Sequence, residues 1–367
     1  MLTSIYYVED IDSLRFALAA NEFDVTALQP HFPGYPAYCF FLKICYLLTH
    51  SVGFSFSILG GISIFLLLYF GEKLWELLTT KDARPIQILL FLNPLLWLMS
   101  NRYMPDIMGL ALLVMGAYFM VRALKVEANR LQVLMLFGFV VGFEAGVRLS
   151  YIPFFLPALL LCWYFPRRIP QMGLAMVAGI AVWLLPFVWI TGLDELMEAG
   201  KVHTEGHFTD WGGGVMSEGQ SYAVRFNAMV KSIWADGLGA WWPLRHWLTI
   251  VLSVGLGIGM LNGLRVLSQK KSVVRDVSVL LLMACLLVYS LWAFFFQNII
   301  YKPRHVMPLL PFLSMLIAYG WVQLIEKGPQ WRRVTGLSFL LCMTIVTGVL
   351  VIQHRKPSAI SQLKTWL

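Results

Sequence analysis

Charge is scarce in this chain: only 13% of its 367 residues are Asp, Glu, Lys or Arg, against 59% hydrophobic. A soluble domain carries about 25% charge, so the shortage excludes an ordinary water-soluble globule. A mean hydropathy of +0.70 needs lipid, rather than a larger core, to cover the surplus apolar surface. Cysteine is sparse as well. Cys39, Cys45, Cys162, Cys285 and Cys342 lie inside apolar stretches without paired spacing; this argues against a disulfide or metal framework and predicts buried thiols. No basic cluster stands behind the net charge of +8, because Lys and Arg are scattered through loops. That pattern is what membrane-protein loops produce and gives no nucleic-acid signal. A secretory leader is not visible either: Met1 to Asp12 has no basic start followed by an apolar run. The chain opens on a polar, acidic segment instead.

What is abundant is long apolar sequence. Such segments run over 35–50, 54–71, 85–100, 104–121, 131–147, 149–165, 171–191, 244–264, 276–297, 306–325 and 334–352. The first is short, carries Lys43 and follows the turn-forming Pro33-Gly34-Tyr35-Pro36, which suits a helix lying at the membrane interface. If it does not span, one side of the membrane collects Lys73, Lys81, Arg84, Arg122, Lys125, Arg130, Arg167, Arg168, Arg265, Lys270, Lys271, Arg275, Lys327, Arg332 and Arg333, 15 of the 28 basic residues. These lie in five short loops, so that side should be cytoplasmic. The expected fold is therefore all-α: a polytopic membrane protein of about ten transmembrane helices, with juxtamembrane helices in its first external loop. Residues 1–352 read as one transmembrane domain and 353–367 as a tail; 1–50 forms the external acidic loop and juxtamembrane helices, and 192–243 a long external loop. Gly255, Gly259 and Gly263, at every fourth position, predict close helix packing. Trp241, Trp242 and Trp247 read as interfacial anchors.

Ionisable residues concentrate on the far side. Glu9, Asp10, Asp12 and Arg15 come first, then His31, Arg102 and Asp106, then Arg148 flanked by Glu144 and Tyr151, then Lys302, Arg304 and His305. Charges at membrane depth are costly and by default face a cavity and serve a task. A carboxylate beside Arg and Lys suits a reaction with a nucleophile to deprotonate and an anionic leaving group to hold, and Arg matches phosphate with paired donors. The competing reading is ordinary interfacial charge that snorkels to water.

Three motifs carry a resemblance. Asp12-Ser13-Leu14-Arg15-Phe16 with Ala19 and Ala20 approximates an acidic first-loop motif. His31-Phe32-Pro33-Gly34-Tyr35-Pro36 is close to a His-Pro-Pro-Gly-Tyr-Pro lead into a juxtamembrane helix. Asp106, after Arg102-Tyr103-Met104-Pro105, precedes a helix. With the late Lys302-Pro303-Arg304-His305, the chain resembles the GT-C superfamily of membrane glycosyltransferases, in the branch of protein O-mannosyltransferases and the lipid A aminoarabinose transferase. The resemblance implies an inverting transfer from a polyprenyl-phosphate-linked sugar to a glycan, lipid or protein acceptor, on the extracytoplasmic face of a bacterial inner membrane. It makes Asp12 the first-loop catalytic acid with Asp10 a close rival, Asp106 the second-loop acid, and Arg148 and Arg304 the phosphate contacts. Lys302, His305 and Arg102 are further candidates for the phosphate. Glu9, His31, Tyr35, His203 and His207 are candidates for the acceptor or the cavity wall. The family normally places a transmembrane helix before the acidic loop; the expectation here is a start too far downstream or a first segment lying outside. At 367 residues no room is left for a separate soluble domain.

His203 and His207, four apart, could hold a metal from one helix face, but Gly206 and Gly212 to Gly214 argue against a long helix and favour a loop folding over the cavity. No cofactor is demanded, and a divalent metal stays open. The glycine run lacks the Gly-Lys-Ser/Thr ending of a phosphate loop. A lipid-linked-sugar flippase or other transporter would also want a polar cavity with phosphate-binding arginines. Transporters often show internal repeats, and this chain shows none; a sugar-chain polymerase or ligase is the rival among enzymes.

Overall fold

The computed structural model describes residues 3–206, 220–270, 276–326 and 328–357. Among them it is all-α, the nearest approach to a strand being an isolated bridge between Asp24 and Gln29. Two short helices come first. α1 (Ile11–Asn21) starts where the Asp10 side chain accepts the Ser13 amide at 2.8 Å, satisfying a donor that a helix start otherwise leaves unpaired. α2 (Pro36–Thr49) opens on a proline, whose missing N–H costs nothing in the first turn. Gly34 and Tyr35, at φ +78° and +47°, turn the chain into it. An alanine at Gly34 would be strained there, and its Cβ would lie 2.7 Å from the Phe187 ring. With 14 residues α2 is too short to span, as expected for a juxtamembrane helix.

Eight helical stretches among the described residues are long and apolar enough to cross a bilayer, which makes this an integral membrane protein. α3 (Val52–Leu78) is the first. Two of the ten expected spans are not continuous helices. The segment at 85–100 is α4 (Arg84–Phe91) and α5 (Pro94–Asn101), because Asn93 caps the Leu96 amide at 3.1 Å and Pro94 starts a new helix. After α6 (Asp106–Lys125) and α7 (Arg130–Arg148), the segment at 149–165 is mostly 3-10 helix (Leu149–Leu159), followed by the single turn α8 (Leu160–Tyr164). Pro153 and Pro157 lack the N–H that α-helical bonding there would use.

α9 (Ile169–Thr191) lies at the periphery, with Trp189 90% exposed to the surroundings that lipid would fill. The described part of the 192–243 segment holds two helices, α10 (Leu193–Glu205) and α11 (Tyr222–Lys231). α12 (Leu248–Gln269) follows, with Trp241 and Trp247 exposed near its start and Trp242 half-buried. α13 (Val277–Phe296), a 3-10 stretch Pro303–Leu309, α14 (Leu310–Glu326) and α15 (Gln330–His354) complete the bundle.

The main pairings are α3 with α6, α7 with α9 and α12 with α14. The glycine repeat makes the last of these. A Cβ on Gly320 would fall 1.8 Å from the Gly259 carbonyl oxygen, and one on Gly263 2.5 Å from that of Leu316. All five cysteines are free; four are buried as expected, while Cys162 is only half-buried. α6 and the stretch 303–326 are the most enclosed spans. Twenty residues of α6 carry the chain about 30 Å, at 1.5 Å per residue, from Asp106 at one end of the bundle to Lys125 at the other.

Candidate active site

One end of the bundle gathers the residues that the sequence singled out. Asp10 is committed to the start of α1, where one carboxylate oxygen caps Ser13 and the other receives Arg102 at 2.6 Å. A helical turn that begins at Ile11 then brings Asp12 inward, to 6% exposure. Its Oδ2 accepts from Lys302 Nζ and from Arg304 Nη2, both at 2.8 Å. Those two cations stand just before and at the start of the Pro303–Leu309 turn, which leads into the buried α14. Arg304 reaches back to Asp10 at 4.0 Å and across to Asp106 at 3.8 Å.

Asp106 opens α6, is fully buried, and lies 2.9 Å from Arg148 Nη2. Its place in the first turn complements the positive end of the helix dipole. Arg148, at the end of α7, donates to Tyr35 Oη at 3.3 Å, and that hydroxyl lies 3.3 Å from His31 Nε2. The His31 ring stacks on His203 of α10 at 5.8 Å. In the other direction Arg102 contacts Glu9 at 3.2 Å, and Glu9 lies 2.9 Å from His354 at the end of α15. Eleven of the selected residues thus belong to one connected network. His305 is buried beside Arg304, its carbonyl accepting from Tyr289 Oη at 2.9 Å. His207 lies outside the described residues, as do Gly212 to Gly214.

The charges balance within the cluster: Glu9, Asp10, Asp12 and Asp106 face Arg102, Arg148, Lys302 and Arg304. Burial alone would raise the Asp12 carboxyl, but its hydrogen bonds and charge interactions with Lys302 and Arg304 outweigh burial and hold it well below the ordinary carboxylate range. For Asp10, too, burial opposes and Arg102, the Ser13 amide and Arg304 prevail, lowering the carboxyl. His31 is pushed down to about 3, chiefly by burial, with Asp12 opposing and His203, Arg15 and Arg148 reinforcing. It is therefore a neutral imidazole at ordinary pH. No group of three or more metal-binding side chains occurs among the described residues, and His203 is joined to His31 by ring stacking.

Some of the constellation was given no role from sequence, although Glu144 was noted beside Arg148. Glu144, one turn before Arg148, is fully buried, and neither of its oxygens has a hydrogen-bond partner; its approach to Gly109 tells why α6 carries a glycine there, since a Cβ would sit 3.1 Å from Glu144 Oε1 and 2.6 Å from Arg148 Cβ. Arg225 of α11 is fully buried and donates to the carbonyls of Phe294 and Gln297, bracing the end of α13 from which the Lys302 segment departs. His354 carried no local signal, because its contact with Glu9 joins residues 345 positions apart.

No protein-family model matches the chain, and no curated protein matches it by sequence. Comparison of folds does find relatives. ArnT from Cupriavidus metallidurans, in a structure bound to undecaprenyl phosphate, superposes with a TM-score of 0.63 at 11% identity, over 96% of this chain and 72% of that one. The same protein in its apo state gives 0.60 at 10% identity, over 96% and 73%. The oligosaccharyltransferase of Archaeoglobus fulgidus gives 0.53 at 14% identity, over 97% of this chain but only 54% of its own length. These similar proteins are GT-C glycosyltransferases. Nearly the whole of this chain therefore has the transmembrane fold of the GT-C membrane glycosyltransferases.

Proposed function

We propose that the protein is a membrane glycosyltransferase that moves a sugar from a polyprenyl-phosphate-linked donor to an acceptor hydroxyl or amine, with inversion. The observation that carries this reading is Asp12, nearly buried and sharing one oxygen between Lys302 and Arg304. That arrangement combines a base with the two cations that a departing phosphate requires. The acceptor O–H or N–H would attack the anomeric carbon as its proton passes to Asp12. The bond from that carbon to the phosphate oxygen would break, the phosphate leaving with the electron pair. Preorganised cations stabilise the charge that develops on it, and a phosphate leaves well without a strong general acid.

The depressed Asp12 carboxyl is ionised at neutral pH but a weak base while both cations hold it. A donor phosphate competing for Lys302 and Arg304 would release the carboxylate and raise its basicity just where the acceptor binds. Asp10 is the poorer base, since its oxygens are spent on Ser13 and Arg102; it holds α1 and Arg102 in place. Asp106 orients Arg148 and Arg304. His31, Tyr35 and His203 wall the side on which α10 lies. The short basic loops lie toward the opposite end of the bundle, and the positive-inside rule then favours an extracytoplasmic site. The carrier is supported by the ArnT structure with undecaprenyl phosphate together with the cation set here. The test is release of polyprenyl phosphate from labelled polyprenyl-phosphate sugars by purified protein in lipid with a crude acceptor extract. Release that survives Asp12→Asn would sink the assignment of the base. No release from any donor by folded wild-type protein would point to transport instead.

A further inference from the structure

Among the described residues, a cavity opens at the end opposite the acid–base cluster. It measures about 740 Å³, within the roughly 300–1,000 Å³ span of small-molecule sites. α14 forms its floor, and residues of α12 and α13 form its sides, among them Leu267, Leu282, Leu286 and Leu313. α12 packs chiefly on α14, and α13 on α6 and the Leu149–Leu159 stretch, so the cavity occupies the space between two spans. Its polarity is graded. The inner end meets Leu309 and Phe312 and is apolar; the one hydroxyl well inside, that of Ser290, donates to the Leu286 carbonyl of its own helix at 2.7 Å. The outer end carries Glu76, Thr79, Thr80, Lys81, Lys125, Lys270 and Tyr319, and the Glu76 carboxylate is paired with Lys73 at 2.9 Å.

The three lysines are not equivalent. Lys81 is neutralised by Glu326, and Lys125 by Asp276 at 2.8 Å. Lys270 donates to Tyr319 Oη at 2.8 Å and lies over that ring. A phenol is a neutral partner, and among the described residues Lys270 has no carboxylate in ion-pair contact. The Tyr319 O–H, accepting from Lys270, keeps its own proton to donate. Lys270 and Tyr319 together therefore offer a cation and a hydroxyl donor at the mouth of an apolar groove, in the chain region whose sequence continues with Lys271 and Arg275.

We infer that this groove binds an anionic phospholipid from the membrane leaflet at the lysine end, its phosphate head on Lys270 and Tyr319 and an acyl chain running inward to Leu309 and Phe312. The gradient from charged mouth to apolar inner end follows that of a lipid, and a cation without a carboxylate partner among the described residues favours a head of net negative charge over a zwitterionic one, whose own ammonium it repels. A polyprenyl-phosphate carrier fits poorly in this orientation, because the cations that suit its phosphate in the reading above lie at the other end, the length of α6 away. A tail reaching Leu309 would bear on the turn that holds Arg304, so the lipid would buttress the segment that carries the Asp12 contacts.

The experiment is native mass spectrometry of the full chain in mild detergent, titrated with phosphatidylglycerol or phosphatidylcholine, with no glycosyl donor and so no dependence on the transferase reading. The expected result is a one-to-one phosphatidylglycerol adduct in preference to phosphatidylcholine. Lys270→Gln, which removes the cation, and Leu313→Trp, which fills the groove, should each weaken it about tenfold, the scale of one hydrogen bond to a charged group. Arg84→Gln, outside the groove lining, should leave it unchanged. Equal binding of the two lipids by wild-type protein overturns the inference whether or not either variant folds. So does an adduct untouched by both folded variants, or displacement of phosphatidylglycerol by polyprenyl phosphate with the same sensitivity to Lys270→Gln, which would give the groove to the carrier.

Discussion

The two ends of this bundle carry charge in different ways. At the end of Asp12 and Asp106, acids and bases from α1, α6, α7 and the 302–304 turn interlock around the buried Asp12, Asp106, Arg148 and Arg304, with Lys302 and Asp10 at a partly exposed rim. At the end of Lys81 and Lys125, the pairs Lys81–Glu326 and Lys125–Asp276 are single links with side chains a quarter or more exposed. Surface pairs of the second kind arise wherever loops carry charge, and they contribute little. A buried network costs several kcal/mol of desolvation per ion and persists where it has a task. The difference between the ends supports the proposal that the chemistry lies at Asp12.

The sharpest break of that comparison is functional. Asp12→Asn keeps the shape of the side chain and removes its charge, so polyprenyl-phosphate release should fall by about 10²–10⁴-fold, the usual contribution of a general base. Asp276→Asn, a carboxylate of the opposite end, should change release by less than about twofold, on the weak worth of an exposed pair. Equal losses at both ends would show that charge removal acts through folding. Stability should divide the same way. Arg148→Met leaves Asp106 buried without its 2.9 Å partner, and should cost about 3–5 kcal/mol in denaturant unfolding from mild detergent. Lys125→Ala should cost no more than about 1 kcal/mol.

Much of the Asp12 end was legible in the sequence because its residues sit beside local signals. Asp12 follows a helix-capping Asp10; Tyr35 lies in the Pro33-Gly34-Tyr35-Pro36 turn; Arg304 and Asp106 stand next to prolines that start helices. Their order and their common side of the membrane could be read by counting apolar segments. The contacts that join them could not. Glu9 with His354, or Arg225 with the Phe294 and Gln297 carbonyls, depend on how distant helices pack, and no periodicity encodes that. The breaks at Asn93-Pro94 and at Pro153 and Pro157 were visible as residues, yet hydropathy averaged over a window passed across them. The groove at Lys270 went unseen because a cavity is a property of three helices at once.

The cluster should also differ from the end of Lys81 and Lys125 in its response to acid, and His31 tests this. Its folded value is pushed down to about 3, while an unfolded histidine titrates near 6.5. Stability from keeping it neutral is then complete above about 6.5 and lost progressively as pH falls from there toward 3, by up to about 1.4 kcal/mol per pH unit. Thermal unfolding in detergent should show a fall in Tm between about pH 6.5 and 4.5 that His31→Gln flattens. A fall that persists in that variant would assign the acid sensitivity to other groups.

The smallest effect is the most specific to the long-range design. The His354 ring packs edge-on against Tyr7 and holds Glu9, which meets Arg102, which in turn fixes Asp10. Its loss leaves Asp12, Lys302 and Arg304 in place, so His354→Ala should lower turnover no more than about fivefold, equivalent to roughly 1 kcal/mol for a partly exposed link. His354→Gln can still donate to Glu9 and should restore most of that loss. The double variant with Glu9→Gln should be no worse than Glu9→Gln alone, since both changes cut the same chain of contacts. Additive losses would mean that α15 reaches the site by another route.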